Sequence, residues 1–205
     1  MKTIAIDIDN VLAASAESFV IISNELFGDH ITFADFNEDW QKMWGVDHEE
    51  AERRGEVLRA NKYQKDYSPV EGAVQAITEL GKKYKLVIVT SRRKFAEELT
   101  LNWLKQHFDY PFEQIVFADF WDDFQKSKDG HLRHKGELFT QVGADFVIDD
   151  QLKHCVAAAE QGVQAILFGD YPWNETDELP NGVIRYKDWA EVVESLSADD
   201  MLPSR

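Results

Sequence analysis

Five short apolar runs recur along the chain, and stretches of helical periodicity fill the intervals between them. The runs are Thr3–Ile6, Leu86–Val89, Gln114–Phe117, Phe146–Ile148 and Val163–Phe168. Each is short, rich in β-branched or aromatic residues and largely uninterrupted by charge, which is the pattern of a strand covered on both faces. Strands of this kind alternating with helices make a parallel, doubly wound sheet, so the expected fold is a Rossmann-like α/β core.

Three of these runs end in reactive side chains: Asp7 and Asp9, Thr90 and Ser91, Asp149 and Asp150. In an open α/β sheet the ligand crevice lies outside the carboxyl ends of the strands. Any one pair read alone is satisfied by a solvated turn. Three at equivalent places define a site. Side chains alternate along a strand, so Asp7 and Asp9 start on the same side if the extended geometry continues. Carboxylates this close repel one another and do not belong in an apolar core. A cation relieves them, and hard oxygen ligands with few other donors suit Mg²⁺.

A chain of 205 residues can bury one good core and carry a smaller appended module. Its formal charge of −16 argues against long nucleic acid held on a basic surface, though not against a small phosphate ester in a locally cationic pocket. No apolar run approaches the ~20 residues of a transmembrane helix, and the chain enters its first strand without a signal-peptide pattern. No membrane role is expected. Cys155 is the single cysteine, which excludes an internal disulfide and fits the cytoplasm. It reads as a small buried hydrophobe. Nothing in the composition sets the oligomeric state.

Residues 13–68 carry no strand pattern and many aromatics. Ala13–Phe27 and a stretch from Asp47 to about Ala60 read as helices, with Gly28 stopping the first and Asp47 capping the second. These residues are expected to form a small helical cap inserted after the first strand. The core comprises 1–12 and 69–200, and 201–205 form a flexible tail. Past the cap, Pro69 opens a helix from Val70 to about Lys83, and Phe95 belongs to the apolar face of the next.

The order of these motifs resembles the haloacid-dehalogenase superfamily of phosphotransferases. Asp7-Ile8-Asp9-Asn10-Val11 corresponds to its first motif, Thr90 to its second, a lysine ahead of the fourth strand to its third, and Asp149-Asp150 to its fourth. Lys135 is the best match for the third, with Lys126 and Lys128 as alternatives. The resemblance implies a haloacid-dehalogenase-like core and a phosphomonoester hydrolase that works through an aspartyl phosphate. Asp7 would attack phosphorus, and Asp9 would serve as acid and then as base, its pKa raised by the charge of Asp7. Mg²⁺ would be held by Asp7, the main-chain carbonyl of Asp9 and Asp149, with Asp150 as a further or water-mediated ligand. Thr90, Ser91, Arg92 and Lys135 would contact the phosphoryl group; for Arg92, with Arg93 and Lys94, a solvated basic turn stands equally open. His131 and His134 lack ligand-spaced partners and read as loop histidines.

Val11, Thr90-Ser91, Asp149-Asp150 and the later Tyr171-Pro172-Trp173-Asn174 are similar to the 5′(3′)-deoxyribonucleotidase branch and its bacterial relatives. That resemblance implies a nucleoside monophosphate as substrate. Asn10 departs from the glycine usual in the first motif. Phe19, Phe33, Phe36, Trp40 and Trp44 are then candidate surfaces for a base, against the alternative that they are the cap's own core. A phosphatase for another small ester, such as a sugar phosphate, and a non-catalytic binding module on the same fold are the competing readings.

Overall fold

The computed structural model describes residues 1–37, 39–118 and 135–197, with the side chain of Asn61 also excepted. The expectations for Lys126, Lys128, His131, His134 and the tail 201–205 lie outside these residues.

Among the described residues, six strands form one parallel sheet. They are β1 Thr3–Ile6, β2 Lys85–Thr90, β3 Gln114–Phe117, β4 Phe146–Asp149, β5 Gln164–Phe168 and β6 Val183–Tyr186, in the order β3-β2-β1-β4-β5-β6. The helices are α1 Ser15–Phe27, α2 Trp40–Trp44, α3 His48–Asn61, α4 Ala73–Leu80, α5 Glu97–His107, α6 Lys135–Gln141, α7 Leu152–Glu160 and α8 Trp189–Ser197. β1 is central, with Ile6 opposite Ile88 of β2 on one side and Ile148 of β4 on the other.

Alternation along the strands divides the core in two. Ile4, Ile6, Ile88, Ile148 and Ile166 face Ile77 and Leu80 of α4, Leu104 of α5, and Trp189 and Val192 of α8. Ala5, Val87, Val89, Val147, Ala165 and Leu167 face Phe139 of α6 with Cys155 and Ala158 of α7. Burying an Ile or Leu of this kind contributes about 1.5–3 kcal/mol. The strand order reverses between β1 and β4, and a crevice opens there at the carboxyl ends. That is where the carboxylates stand.

The chain leaves the sheet after Leu12 and returns at Val70. The two crossings bond to each other, Ala14 N donating to Ser68 O and Val70 N to Leu12 O, both at 2.8 Å. Between them α1, α2 and α3 enclose a separate aromatic cluster of Phe19, Met43, Trp44, Ala51 and Leu58. Arg54 braces it, its guanidinium over the rings of Phe27 and Trp44. Asp47 caps α3 by accepting from Glu50 N at 3.0 Å.

Three expectations change. Pro69 does not open a helix: it pairs with Ala13 across the crossing, and α4 begins only after Gly72, whose φ of +79° is left-handed. Phe95 stands 59% exposed in a 3-10 turn instead of joining the apolar face of α5. The sixth strand, β6, continues the sheet beyond β5. No helix among the described residues is long and apolar enough to cross a membrane.

Candidate active site

The sheet carries its acidic residues to one point. Asp7 N donates to Ile148 O at 3.0 Å, which extends the β1–β4 ladder one residue past β1 and sets Asp7 beside the end of β4. Asp7, Asp149 and Asp150 each offer a carboxylate oxygen within 4.8 Å of the others, and all three side chains are buried. Lys135, at the start of α6, reaches into the cluster with its Nζ 2.7 Å from Asp149 Oδ2 and 3.1 Å from Asp7 Oδ1. Gly136 makes that reach possible, because a Cβ there would lie 2.6 Å from the Ala157 carbonyl oxygen of α7. His154 Nδ1 stands 3.1 Å from Asp149 Oδ1.

One ammonium against three carboxylates leaves the cluster anionic. Burial, only partly countered by Lys135 and reinforced by Asp149 and Asp9, pushes the Asp7 carboxyl up to about 6. Burial also acts on Asp149, but Lys135 and His154 overcome it and hold that carboxyl below its ordinary value. At Asp150, burial and the charges of Asp149 and Asp7 act together, and the carboxyl is raised well above the ordinary value. Buried Ser91 Oγ has no hydrogen-bond partner among the described residues, and buried Asp7 Oδ1 meets only the Lys135 ammonium there. All the acidic donors are hard oxygens. This donor set fits a divalent cation.

Asp9 has a different partner. Arg92 donates from Nε and Nη2 to its two oxygens at 2.9 and 2.8 Å, while Nη1 reaches Thr100 Oγ1 at 3.2 Å. The guanidinium also lies over the rings of Tyr67 and Trp103. Arg92 is 5% exposed and bonded to Asp9, so the reading of a solvated side chain does not describe it. Burial would raise the Asp9 carboxyl, yet the charge and hydrogen bonds of Arg92 hold it below its ordinary value. The expectation that Asp7 raises Asp9 is therefore reversed. Asp7 is the raised member of the pair.

Asn10 has a φ of +58°, a left-handed conformation that Asn tolerates better than most residues. Its side chain also works: Oδ1 accepts from Ser15 Oγ and Ala16 N, and Nδ2 donates to Asp150 Oδ2 at 3.1 Å. Glycine would allow the turn but not this link to α1.

Above the carboxylates lies a cleft of about 610 Å³. Asp7, Asp9, Ser91, Arg92 and Asp150 line its base, and Phe19, Phe36, Trp40 and Tyr63 its cap side. Thr90, Lys135 and Asp149 are buried behind that wall. The cap aromatics thus divide. Phe19, Phe36 and Trp40 reach the cleft; Trp44 is buried in the cap, its Nε1 donating to Ser23 Oγ at 2.8 Å. Phe33 packs on Tyr171 and Trp173 of the core instead. Sequence reasoning did not identify His154 beside Asp149, the pairing of Arg92 with Asp9, or Trp173, whose Nε1 donates to Asp150 Oδ2 at 2.7 Å.

Known proteins resemble this chain in sequence and in fold. The family model described as 5′ nucleotidase, deoxy (pyrimidine), cytosolic type C protein matches residues 1–127. The YqfW protein of Bacillus subtilis (strain 168), whose name describes it as a candidate nucleotidase, is 26% identical over 197 residues, covering 95% of this chain and 93% of its own. A haloacid-dehalogenase-like hydrolase from Streptococcus pneumoniae superposes with a TM-score of 0.65 at 15% identity, covering 96% of this chain and 98% of its own. A haloacid-dehalogenase-like protein from Agrobacterium tumefaciens gives 0.64 at 16% identity, with 97% and 99% covered. The fold is accordingly haloacid-dehalogenase-like, and the chain belongs to the 5′ nucleotidase, deoxy (pyrimidine), cytosolic type C family of phosphoric monoester hydrolases.

Proposed function

We propose that the protein hydrolyses (deoxy)nucleoside monophosphates in the cytoplasm, with Asp7 as nucleophile and Mg²⁺ as cofactor. The observation that carries this reading is the placement of Asp7 at the base of an aromatic-walled cleft, between Lys135 and two further carboxylates. Asp7, Asp149 and Asp150, with the main-chain carbonyl of Asp9, would hold the cation. When bound, it would neutralise charge on the phosphoryl oxygens as one anion attacks another.

An oxygen of Asp7 forms a bond to phosphorus while the ester oxygen leaves, taking a proton from Asp9. Water then displaces Asp7 from phosphorus, gives its proton to Asp9 and releases inorganic phosphate. Arg92 bonds both oxygens of Asp9 and favours the carboxylate, so the acid step requires one of those oxygens to be freed and protonated as substrate enters. The base step needs only the carboxylate as it stands. The hydroxyl of Ser91, which has no hydrogen-bond partner among the described residues, would donate to the phosphoryl group, Thr90 would support it from behind the cleft wall, and Lys135 would balance the charge of Asp7.

The deciding measurement is phosphate release from 5′- and 3′-nucleoside and deoxynucleoside monophosphates and from sugar phosphates, with Mg²⁺ and with chelator. A deoxynucleotide preference lost on chelation is the expected result. Preference for a sugar phosphate would keep the chemistry and overturn the substrate.

Trp40 carries a narrower prediction. Base stacking contributes about 1–3 kcal/mol, so Trp40→Leu is expected to raise KM for the preferred nucleotide about tenfold. KM for a small alkyl phosphate, which has no ring to stack, should not move. Equal changes for both esters would assign Trp40 to the cap's packing alone.

A further inference from the structure

The loop after β5 joins two things that the proposed chemistry treats separately. Trp173 donates from Nε1 to Asp150 Oδ2 at 2.7 Å. Its ring is stacked on Tyr171, with centroids 4.7 Å apart and planes 16° from parallel. Two cap rings close on it, Phe33 at 5.3 Å and Phe36 at 5.1 Å. Phe36 in turn meets Phe19 edge-on at 5.9 Å, and both of these rings line the cleft. A continuous set of contacts therefore runs from the cleft's aromatic wall to one carboxylate of the acidic cluster.

The loop is held firmly from the core side. Arg185 of β6 donates to Gly169 O at 2.7 Å and to Asn174 O and Oδ1 at 2.6 and 2.8 Å. Asn174 Nδ2 donates to Asp150 O at 2.9 Å and Phe168 O at 3.0 Å. Tyr171 Oη donates to the Asn10 carbonyl at 2.8 Å. Gly169, at φ +82°, has the Tyr171 ring where a Cβ would sit, 2.2 Å from its Cε2. The indole is thus presented to Asp150 on a braced support.

The donors to Asp150 converge on one atom. Oδ2 accepts from Trp173 Nε1 at 2.7 Å, Asn10 Nδ2 at 3.1 Å and Gln151 Nε2 at 3.5 Å. A carboxylate whose one oxygen is saturated by fixed donors has its rotation set, and the other oxygen is left to meet a cation. Partners of this kind, one step removed from the ion, commonly change metal affinity 10–100-fold when lost.

We propose that Trp173 is a positioning residue that orients Asp150 toward the divalent cation and makes that orientation depend on the cap rings Phe33 and Phe36. The inference rests on the Mg²⁺ site named above and adds a coupling between that site and the cap. Because coupling is reciprocal, a change at Phe36 must be felt at the ion, although Phe36 offers it no ligand.

The test is calorimetric titration of Mg²⁺ into the substrate-free full chain, compared across unaltered protein, Trp173→Phe and Phe36→Ala, with a thermal melt of each. Trp173→Phe keeps a ring in the stack and removes the N–H; its Mg²⁺ Kd is expected to rise about tenfold. Phe36→Ala is expected to raise the same Kd by about threefold, and to shift the Mg²⁺-induced change in tryptophan emission. A lower melting temperature with unchanged Kd would mean a purely structural role and would overturn the proposal. So would a Kd altered by Trp173→Phe but untouched by Phe36→Ala, which would sever the cap from the ion. Failure of the unaltered protein to bind Mg²⁺ would instead strike at the metal site itself and remove the inference with it.

Discussion

Asp7→Asn is expected to reduce phosphate release by at least about 10⁴-fold while raising the melting temperature in Mg²⁺-free buffer. An amide cannot supply the oxygen that bonds phosphorus, so the loss falls on the chemical step. The stability gain has a separate origin. Asp7 is 6% exposed, and burial pushes its carboxyl up to about 6, so at pH 7 folding must keep a charge that the site disfavours. Asn removes that charge with little change in volume, and Lys135 retains Asp149 at 2.7 Å. A gain of about 1 kcal/mol corresponds to roughly 2–4 °C for a chain of this size. The advantage should shrink as pH falls from 7 to 5, because native Asp7 takes up a proton across that window. Near-native phosphate release from the Asn variant would exclude Asp7 as nucleophile. A lowered melting temperature without Mg²⁺ would show that its carboxylate is a net asset to the fold.

Lys135→Met should do the opposite to stability. The ammonium is 0% exposed at its side chain and is the cation shared by Asp7 and Asp149. Its removal leaves buried carboxylates facing each other, and unpairing a buried ion in this way costs about 3–5 kcal/mol. The melting temperature in chelator is expected to drop by roughly 10 °C. Mg²⁺ should recover part of the loss, because an ion bound at 100 times its Kd adds about 2.7 kcal/mol to the folded state. Turnover should fall by about 10²–10³-fold even in saturating Mg²⁺, because charge balance at the reacting group is lost. A Met variant that melts like the native protein in chelator would refute this account of the cluster.

The site's core was readable because its logic is local to strand ends. Apolar runs located β1, β2 and β4, and the side chains at their carboxyl ends fell where an open sheet gathers its ligands. β6 escaped because Val183-Ile184-Arg185-Tyr186 is a four-residue edge strand, only Val183 fully buried, with a charged residue inside it. Arg92 was obscured for another reason. It stands among Arg93 and Lys94, and a run of charge reads as a solvated turn. The available signal was its spacing: Arg92 follows Thr90 by two residues, as Asp9 follows Asp7, which puts it on the same side if the extended backbone persists.

His154 and Trp173 gave no comparable signal. His154 reaches Asp149 across the turn into α7, a distance no helical or strand period predicts. Trp173 approaches Asp150 only because a braced loop folds back over the sheet. The cap aromatics show a further limit. Five rings matched one composition, yet their tasks separated according to which wall each faced, and facing is a property of packing.

The paired crossings at residues 12–14 and 68–70 have a consequence for how such a chain can change over time. The polypeptide leaves the core and re-enters it through neighbouring backbone, with Ala14 N only 2.8 Å from Ser68 O. Whatever lies between is grafted on two adjacent stems, and lengthening such a graft costs little, about 0.6 kcal/mol for each doubling of its length. The sheet never has to register the exchange of one insert for another. The insert can therefore be replaced as a cassette, while the acidic cluster beneath keeps its inheritance.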